Sequence, residues 1–334
     1  MGLYDQPVKL KPAYFSYIWG GTLLRDCLGK DIPADDTGES WEVSAHPRGQ
    51  SIIDGGPADG MPFGQYTVGQ DFYGETPTER FPLLIKLLGA KTHLSVQVHP
   101  SDSNCRAGEA GKAEAWVVLA CEPGAQIIYD IGCSREQFAQ ALSEGRMTEH
   151  LRWLNVHPGD VLDIPAGMVH ALTAGVVVYE VQQNSDTTYR LYDWDRVDAA
   201  TGKPRELHIE AALRVIEPKP GSGAVAGRAV TEPGGVRTVY IHNPQYTLER
   251  LDVHGELTDA WPRSFAAYTV IAGSGAVKRA GKKCFEVKLG DSFVNPAAAG
   301  ALTLSGQLTV LKSHVPPEHP LAALDHAVGE MLFC

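Results

Sequence analysis

The chain has 334 residues, a formal charge of −11 at pH 7, 43% hydrophobic residues, 35 glycines and 22 prolines. This length predicts two domains of ordinary size, and the abundance of turn formers favours short strands over long helices. Because the basic residues form no run and no apolar stretch reaches the roughly 18 residues of a membrane span, the sequence argues against nucleic-acid and membrane partners.

The N-terminus and the cysteines bear on the cellular compartment. The first residues lack the basic and then apolar order of a secretion signal. The six cysteines form no C-x-x-C pair and no regular framework, which favours reduced, mostly buried thiols. We therefore expect a soluble cytoplasmic protein, and the sequence leaves its oligomeric state open.

Short β segments dominate the first two thirds of the chain. Residues 81–98 are typical of a strand, a turn and a second strand, because apolar runs break at Gly89 and then alternate with polar residues. The series continues at residues 115–119, 126–129, 161–164 and 175–181. Many short strands with Gly and Pro turns indicate an all-β sandwich or barrel.

One segment departs from this pattern and predicts a helix. Ser134 is placed to cap it, Glu136 stands near its start, and apolar residues then recur at helical spacing. These residues are Phe138, Leu142, Met147, Leu151 and Leu154. We predict a small helical insert over residues 134–154, between strands of the first domain.

A stretch rich in proline and glycine at residues 217–235 is the best linker candidate. It divides the chain into a first domain at residues 1–225 and a second at residues 226–334. The second domain again shows short alternating strands, and we expect it to lack a polar cluster.

Two segments of the first domain recur in the second without their polar side chains. Residues 159–175 align without gaps with residues 290–306, which places His170 opposite Ala301. Glu114, at the start of another matched segment, falls opposite Ala266 in the same way. One scaffold used twice, with polar groups in one copy, indicates that the fold does not need those groups. The first copy is therefore the candidate for chemistry.

Gln97 and His99 lie two residues apart in a predicted strand, so their side chains leave the same face. Together with Glu114 and His170 they form a mixed nitrogen and oxygen set that suits Zn²⁺ or another borderline divalent ion. Taken singly, each histidine is as well explained by an ordinary hydrogen bond, and glutamine is a rare metal ligand. On the residues alone, both interpretations stay open.

Several motifs in order resemble type I mannose-6-phosphate isomerases in their shorter bacterial form. The similarity covers most of residues 8–196. It is carried by residues 15–21, 38–44, 94–100, 111–116, 178–180 and 186–194.

This resemblance implies a cupin, or jelly-roll, fold for the first domain and a second cupin-like domain that lacks metal ligands. It implies one zinc ion per chain, held by Gln97, His99, Glu114 and His170. It also implies a sugar-phosphate substrate, with Arg190, Lys112 and Glu180 as catalytic residues and Ser95, Lys86 and Trp19 in contact with the substrate.

The implied reaction interconverts mannose-6-phosphate and fructose-6-phosphate through an enediol, which requires an electrophile and an acid/base group. Lys86, Lys112 and Arg190 are candidates for the positive patch that a phosphorylated substrate needs, unless Arg190 pairs with a nearby aspartate. The sequence does not decide whether Lys112 or Glu180 moves the proton. The aspartates in question are Asp186, Asp193 and Asp195.

Two other functions compete with the isomerase. A metal-dependent oxygenase on the same fold predicts a redox metal and oxygen uptake. A non-catalytic sugar-phosphate-binding protein predicts binding without conversion.

Overall fold

The computed structural model describes residues 2–76, 78, 80–198, 201–219, 223–260 and 263–316. Antiparallel strands are the main secondary structure of the described residues and helices are few, which confirms the predicted all-β class. Within these residues no helix is long and apolar enough to cross a membrane.

The strands follow one another as short elements, with three long ones near the end. In chain order they are β1 (Val8–Lys11), β2 (Ala13–Ser16), β3 (Thr37–Val43), β4 (Ile52–Asp54), β5 (Leu83–Ala90), β6 (Val96–Val98), β7 (Glu114–Cys121), β8 (Gln126–Ile131), β9 (Leu151–Asn155), β10 (Val161–Ile164), β11 (His170–Ala171), β12 (Val176–Gln183), β13 (Tyr189–Tyr192), β14 (Val197–Asp198), β15 (Lys203–Pro204), β16 (Arg228–Glu232), β17 (Gly235–His242), β18 (Thr247–Asp259), β19 (Ala266–Arg279), β20 (Lys282–Lys288), β21 (Ser292–Asn295) and β22 (Leu302–His314).

The helices are short. They are α1 (Leu23–Leu28), α2 (Phe63–Tyr66), α3 (Gln70–Tyr73), α4 (Arg135–Ser143) and α5 (Ile209–Val215), with 3₁₀ turns at Gly56–Ala58, Met147–His150 and Ala297–Ala299.

The chain forms two compact units. Unit I consists of Pro12–Gly49 and Leu84–Ala226, and unit II of Met1–Lys11, Gln50–Leu83 and Gly227–Cys334 as far as these are described. The chain passes from unit I to unit II next to the boundary predicted at residue 225. The two earlier segments of unit II lie within the predicted first domain, and they join unit II because β1 pairs with both β21 and β4.

Unit I contains two facing antiparallel sheets. The larger has the order β10-β7-β12-β5-β3-β2 and the smaller the order β13-β6-β11-β8-β9. One buried apolar cluster takes Trp116 and Val178 from the larger sheet and Ile127 and Tyr129 from the smaller. Because side chains alternate along a strand, the neighbouring residues of the smaller sheet point outward.

Helices cover the outer face of the smaller sheet. Val96 and Val98 of β6 pack there in a second buried cluster that includes Phe138 of α4 and Ala212 of α5. This packing fixes the orientation of β6, because burying the two valines against the helices turns Gln97 toward the space between the sheets. The opposite orientation of Gln97 and these valines matches the sequence prediction.

The helical insert is shorter than predicted. The structure confirms its start, where Ser134 and Gln137 form a capping box. The helix ends at Ser143, because Gly145 adopts a left-handed φ of 70° and the Arg146 amide donates to the Ala141 carbonyl at 2.7 Å. The prediction was wrong beyond this point, since residues 151–155 form β9, which pairs with β8.

The predicted turn at Gly89 was also wrong. Strand β5 runs through Gly89, and the connection to β6 follows at residues 91–95. A side chain at Gly89 would meet the Cβ of Leu23 at 3.1 Å and Leu24 at 3.3 Å. This glycine therefore allows α1 to approach the sheet closely. Local sequence does not distinguish a glycine with this role from a glycine in a turn.

Unit II is built on one large sheet with the order β16-β17-β18-β22-β19-β21-β1-β4, and β20 pairs with β19. The antiparallel pairing of β19 with β21 reproduces that of β7 with β10 in unit I. The Val270 amide donates to the Asp291 carbonyl at 2.9 Å, just as the Val118 amide donates to that of Asp160. The aligned segments therefore share their backbone geometry as well as their pattern.

Unit II also contains a buried charged cluster, which corrects the expectation that the second domain lacks one. We call it the charged core. Lys312 Nζ lies 3.0 Å from Asp259 Oδ2 and 3.5 Å from Glu249 Oε1. Arg237 contacts both carboxylates, and His314 Nε2 lies 3.0 Å from Glu249. These charges come from three strands, β17, β18 and β22, which meet only in the folded sheet, so their pairing is not visible in local sequence.

The cysteines are only partly as predicted. The five within the described residues are free thiols, as expected. They are not mostly buried, however, because Cys27 is exposed and the other four are partly exposed.

Candidate metal centre

Three neighbouring strands of the smaller sheet position the polar residues of unit I. His170 of β11 and Arg190 of β13 both pair with Gln97 of β6, one from each side. Residues paired across antiparallel strands point to the same face, so all three side chains face the space between the sheets. His99 follows β6, and Glu114 begins β7 of the opposite sheet.

The three residues with the strongest ligand chemistry meet at one point. Ligand atoms of His99, Glu114 and His170 all lie within 4.8 Å of one another, and the three residues are buried. The two carboxylate oxygens of Glu114 divide between the rings, at 3.2 Å from His170 Nε2 and 3.4 Å from His99 Nε2. Gln97 Nε2 lies 3.4 Å from His170 Nε2 and brings the fourth predicted ligand to the group.

Backbone carbonyls set the tautomers of both histidines. His99 Nδ1 lies 2.8 Å from the Thr187 carbonyl oxygen, and His170 Nδ1 lies 2.9 Å from that of Met168. Because a carbonyl oxygen only accepts, each Nδ1 carries the proton and donates it. Each Nε2 faces Glu114, and in the neutral imidazole this nitrogen carries the lone pair with which histidine binds a metal.

The electrostatic environment keeps His99 and Glu114 in the forms that bind a metal. Burial, followed by the charge of Lys112, holds the pKa of His99 well below its usual value. Burial opposes ionisation of Glu114, but the charge of Lys112 opposes this effect, and the pKa of this carboxyl is well below its usual range. Neutral imidazoles and an ionised carboxylate are the states that metal binding requires.

The buried carboxylate of Glu114 lacks, among the residues that the structure describes, the hydrogen bonds that an ion at this position would make unnecessary. Both carboxylate oxygens are fully buried, and within the described residues neither accepts a hydrogen bond of sound geometry, although Lys112 Nζ lies 2.8 Å from one of them. A buried carboxylate without such bonds carries a large desolvation cost. A divalent cation between Glu114 and the two Nε2 atoms would remove that cost, so the donor set fits a metal.

A second group of charges adjoins the triad. Lys86 Nζ lies 3.4 Å from Glu39 and 3.5 Å from Glu180, and these carboxylates outweigh burial and raise the pKa of the lysine. Burial, with the charge of Glu114, raises the pKa of Glu180. Trp116 Nε1 donates to Glu180 Oε2 at 2.8 Å, whereas the buried Oε1 accepts no hydrogen bond from the described residues.

Arg190 forms no ion pair with the three aspartates that the sequence offered as partners, within the part of the chain that the structure describes. Its Nη1 donates to the Glu206 carbonyl at 2.7 Å, and its buried Nε has no hydrogen-bond partner among the described residues. Asp193 instead binds Arg196 and Arg205. Burial, followed by the nearby charge of Arg205, lowers the pKa of Arg190.

A cavity of about 230 Å³ adjoins the triad, because Gln97 and Lys112, which contact the triad, form part of its wall. All ten residues proposed from sequence lie at it or beneath it, since His99, Glu114 and His170 form the buried triad and the others line its wall. The lining members of that set are Trp19, Lys86, Ser95, Gln97, Lys112, Glu180 and Arg190.

Sequence reasoning missed several lining residues. Glu39 and Trp41 occupy alternate positions of β3, and Trp41 Nε1 donates to Glu39 Oε2 at 2.6 Å. Their alternation within the motif of residues 38–44 is a signal that could have placed both on the cavity side. Arg48 carried no such signal, because it lies in a loop beyond that strand.

Both units match descriptions of one protein family. Residues 8–118 match the catalytic domain of type I phosphomannose isomerase, and residues 237–315 match the cupin domain of mannose-6-phosphate isomerase. The second match confirms the cupin fold that the resemblance implied for the C-terminal half.

Relatives align over nearly the whole chain. The mannose-6-phosphate isomerase ManA of Bacillus subtilis is 36% identical over 93% of this chain and 99% of its own length. A mannose-6-phosphate isomerase of Streptococcus mutans is 34% identical over 92% of this chain and 98% of its own length. The crystal structure of a Bacillus subtilis mannose 6-phosphate isomerase is 36% identical, with a TM-score of 0.87 over 93% of this chain and all of that one. The chain therefore belongs to the type I phosphomannose isomerase family.

Proposed function

We propose that the protein is a zinc-dependent aldose–ketose isomerase that interconverts mannose-6-phosphate and fructose-6-phosphate, with one zinc ion per chain. The observation that carries this proposal is the convergence of two buried imidazoles and a buried carboxylate next to a cavity. The close relatives described above bear the name of this activity.

Gln97, His99, Glu114 and His170 would hold the ion. Two imidazole nitrogens, a carboxylate and a carboxamide form a mixed set that suits Zn²⁺. When bound, zinc supplies Lewis-acid polarisation of a substrate oxygen. Ser95 Oγ lies 3.3 Å from Gln97 Oε1 as a hydrogen-bond donor, and this contact orients the carboxamide.

The reaction moves a proton between two adjacent carbons, which requires a base and a partner for the oxygen that gains negative charge. Glu180 lines the cavity, and its raised pKa brings it closer to the range of an efficient acid/base group. We assign the proton transfer to Glu180. Lys112 and Arg190 line the same wall as cations and suit stabilisation of the developing oxyanion.

Aromatic rings and Lys86 form the rest of the substrate wall. Trp19 stacks on Tyr17 with ring centroids 4.9 Å apart, and Trp41 and Trp116 also line the cavity. Aromatic rings pack against the apolar faces of a sugar and exclude water from the reacting carbons. Lys86, held between Glu39 and Glu180, adds a fixed positive charge to this wall.

The test is an isomerase assay of protein as purified, after chelation, and after zinc is restored. We expect fructose-6-phosphate to form from mannose-6-phosphate, to cease after chelation and to return with zinc. Turnover that persists in fully metal-free protein would contradict the zinc requirement. Binding of mannose-6-phosphate without conversion would favour the non-catalytic alternative, and metal-dependent oxygen uptake would favour the oxygenase.

A further inference from the structure

The phosphate of a hexose phosphate needs a positive partner away from the reacting carbons, because it lies at the opposite end of the sugar chain. We propose that Arg48 is this partner and determines specificity for phosphorylated sugars. The inference rests on the proposed function and adds to it the residue that reads the phosphate. Arg48 lines the cavity wall, and about 47% of its side chain is exposed, which places it at the solvent side.

The other cations of the cavity are already matched by acidic groups. Lys86 lies between Glu39 and Glu180, and Lys112 lies 2.8 Å from Glu114. Only about 6% of each lysine side chain is exposed, so both belong to the buried end of the cavity.

The two remaining arginines of the wall are also unsuited to the phosphate. Arg205 binds Asp193 through Nε at 2.8 Å and through Nη2, so its guanidinium is neutralised. Arg190 pairs across the sheet with Gln97, which places it at the metal end of the cavity.

Arg48 is held ready for an anion. Its guanidinium carbon lies 5.3 Å from the centre of the Phe15 ring and about 6 Å from those of Tyr17 and Trp41. Its Nη2 donates to the Tyr17 hydroxyl at 3.1 Å. Cation–π contacts hold the guanidinium against the rings but leave its N–H edge able to bind phosphate oxygens in a bidentate manner.

The loop that carries Arg48 is itself ordered by close contacts. The Arg48 amide donates to His46 Nδ1 at 3.2 Å, and Ser44 Oγ donates to the Gly49 carbonyl at 2.6 Å. A side chain at Gly49 would approach Phe15 to 2.4 Å, so the loop packs directly against the ring that supports Arg48. A preformed loop lowers the entropy cost of binding the anion.

The acidic neighbour of Arg48 is weakly bound. Asp186 lies 3.7 Å from Arg48 Nη1, and about 40% of its side chain is exposed. Exposed pairs at such distances contribute little. A phosphate ester carries more charge and three acceptor oxygens, so it can displace this contact.

The test compares the variants Arg48→Met and Arg48→Lys with Arg25→Met. Arg25 is a matched control, because it is an arginine of the same unit with a similarly exposed side chain and an aspartate partner at 2.8 Å, and it is absent from the cavity wall. We expect Arg48→Met to raise KM for mannose-6-phosphate roughly 10- to 100-fold, as for loss of a charge-assisted hydrogen bond, with kcat and zinc content nearly unchanged. Arg48→Lys should fall between, and Arg25→Met should resemble wild type.

Calorimetry with inorganic phosphate separates this inference from the proposed function, because binding requires no turnover. Affinity of the zinc-loaded protein for phosphate should fall in Arg48→Met by a factor similar to the rise in KM. The assignment is overturned if Arg48→Met leaves both KM and phosphate affinity within about twofold of wild type, or if Arg25→Met changes them equally. If the wild-type protein is inactive but binds phosphate through Arg48, the proposed isomerase activity is refuted and the proposed role of Arg48 is supported.

Discussion

Glu114 is the residue on which the metal centre depends most. Its two oxygens face the Nε2 atoms of His99 and His170, and its charge also balances Lys112. Replacing it by glutamine keeps the size of the side chain but removes the charge. It therefore separates electrostatics from packing.

For Glu114→Gln we expect zinc affinity to fall by more than about 100-fold, since losing a ligand should cost at least as much as losing the groups that orient one. Zinc per chain measured by elemental analysis after dialysis should fall with isomerase activity. The control is Glu136→Gln, at an exposed residue of α4, and it should retain both. A zinc content equal to wild type in Glu114→Gln would contradict the ligand assignment.

Glu180→Gln tests the proton transfer apart from metal binding. We expect kcat to fall about 10²- to 10⁴-fold, the usual contribution of a general base, while zinc content stays at the wild-type level. A kcat equal to wild type in this variant would contradict the assignment and would indicate that Lys112 transfers the proton.

The raised pKa of Glu180 also predicts a pH effect. A base must be ionised, so activity is lost as pH falls through its pKa, and the raised pKa places this loss above the ordinary range near 4.3. We expect the acid limb of the wild-type profile of kcat/KM against pH to lie above that range. It should be absent from the residual activity of Glu180→Gln.

At the scale of elements, the start of α4 was predictable and its end was not. Ser134 and Gln137 stand at the spacing of a capping box, which sequence shows directly. The apolar spacing that continues to Leu154 suits a helix equally well. Pairing with β8 decides in favour of a strand, and that partner is not visible in local sequence.

Ser134→Ala should lower the free energy of unfolding by about 1 kcal/mol, because it removes the acceptor of the Gln137 amide. Urea denaturation followed by circular dichroism measures this change. Ser143→Ala, at the last residue of the same helix, should cost less than about half as much. Equal losses in the two variants would contradict a specific role for the cap.

The charged core of unit II predicts a larger effect. Lys312→Met leaves Asp259 and Glu249 without their central cation, and loss of one partner of a buried ion pair costs about 3 to 5 kcal/mol. Thermal unfolding should show a much lower Tm than in Lys282→Met, a control at an exposed lysine. A Tm equal to that of the control would mean that the cluster adds nothing to stability.

The same cluster has a defined pH dependence. The pKa values of Glu249 and Asp259 are both lowered, because Lys312 and Arg237 outweigh the effect of burial. Their stabilisation is therefore complete above the unfolded values, near 4, and is lost as pH falls through the folded ones. In Lys312→Met these folded pKa values rise toward the unfolded ones or above them, so we expect acidification below about pH 4 to lower Tm less than in wild type.

At the scale of the whole molecule, sequence predicted most of the site residues, but it did not show how the distant strands bring them together. The two-residue spacing of Gln97 and His99 placed both on one face, and burial of Val96 and Val98 beneath helices explains why. Glu114 and His170 join them through pairing between distant strands, which their spacing does not show. The family resemblance, rather than spacing, brought these four together before the structure did.

The comparison of the two units gives the same lesson. The shared antiparallel pairing of β7 with β10 and of β19 with β21 agrees with the repeat read from sequence, and the alanines opposite Glu114 and His170 leave that pairing intact. The charged core and the assignment of Gln50–Leu83 to unit II were not visible, because both depend on single residues or short strands that meet only after folding.

Anomalous diffraction at the zinc edge, on crystals of zinc-loaded protein, tests the central claim most directly. We predict one strong peak per chain, about 2.0 to 2.2 Å from the Nε2 atoms of His99 and His170 and from a Glu114 oxygen, with Gln97 as the fourth protein ligand. Full zinc loading without a peak at these residues, or with the peak in the unit that carries Ala266, would contradict the account.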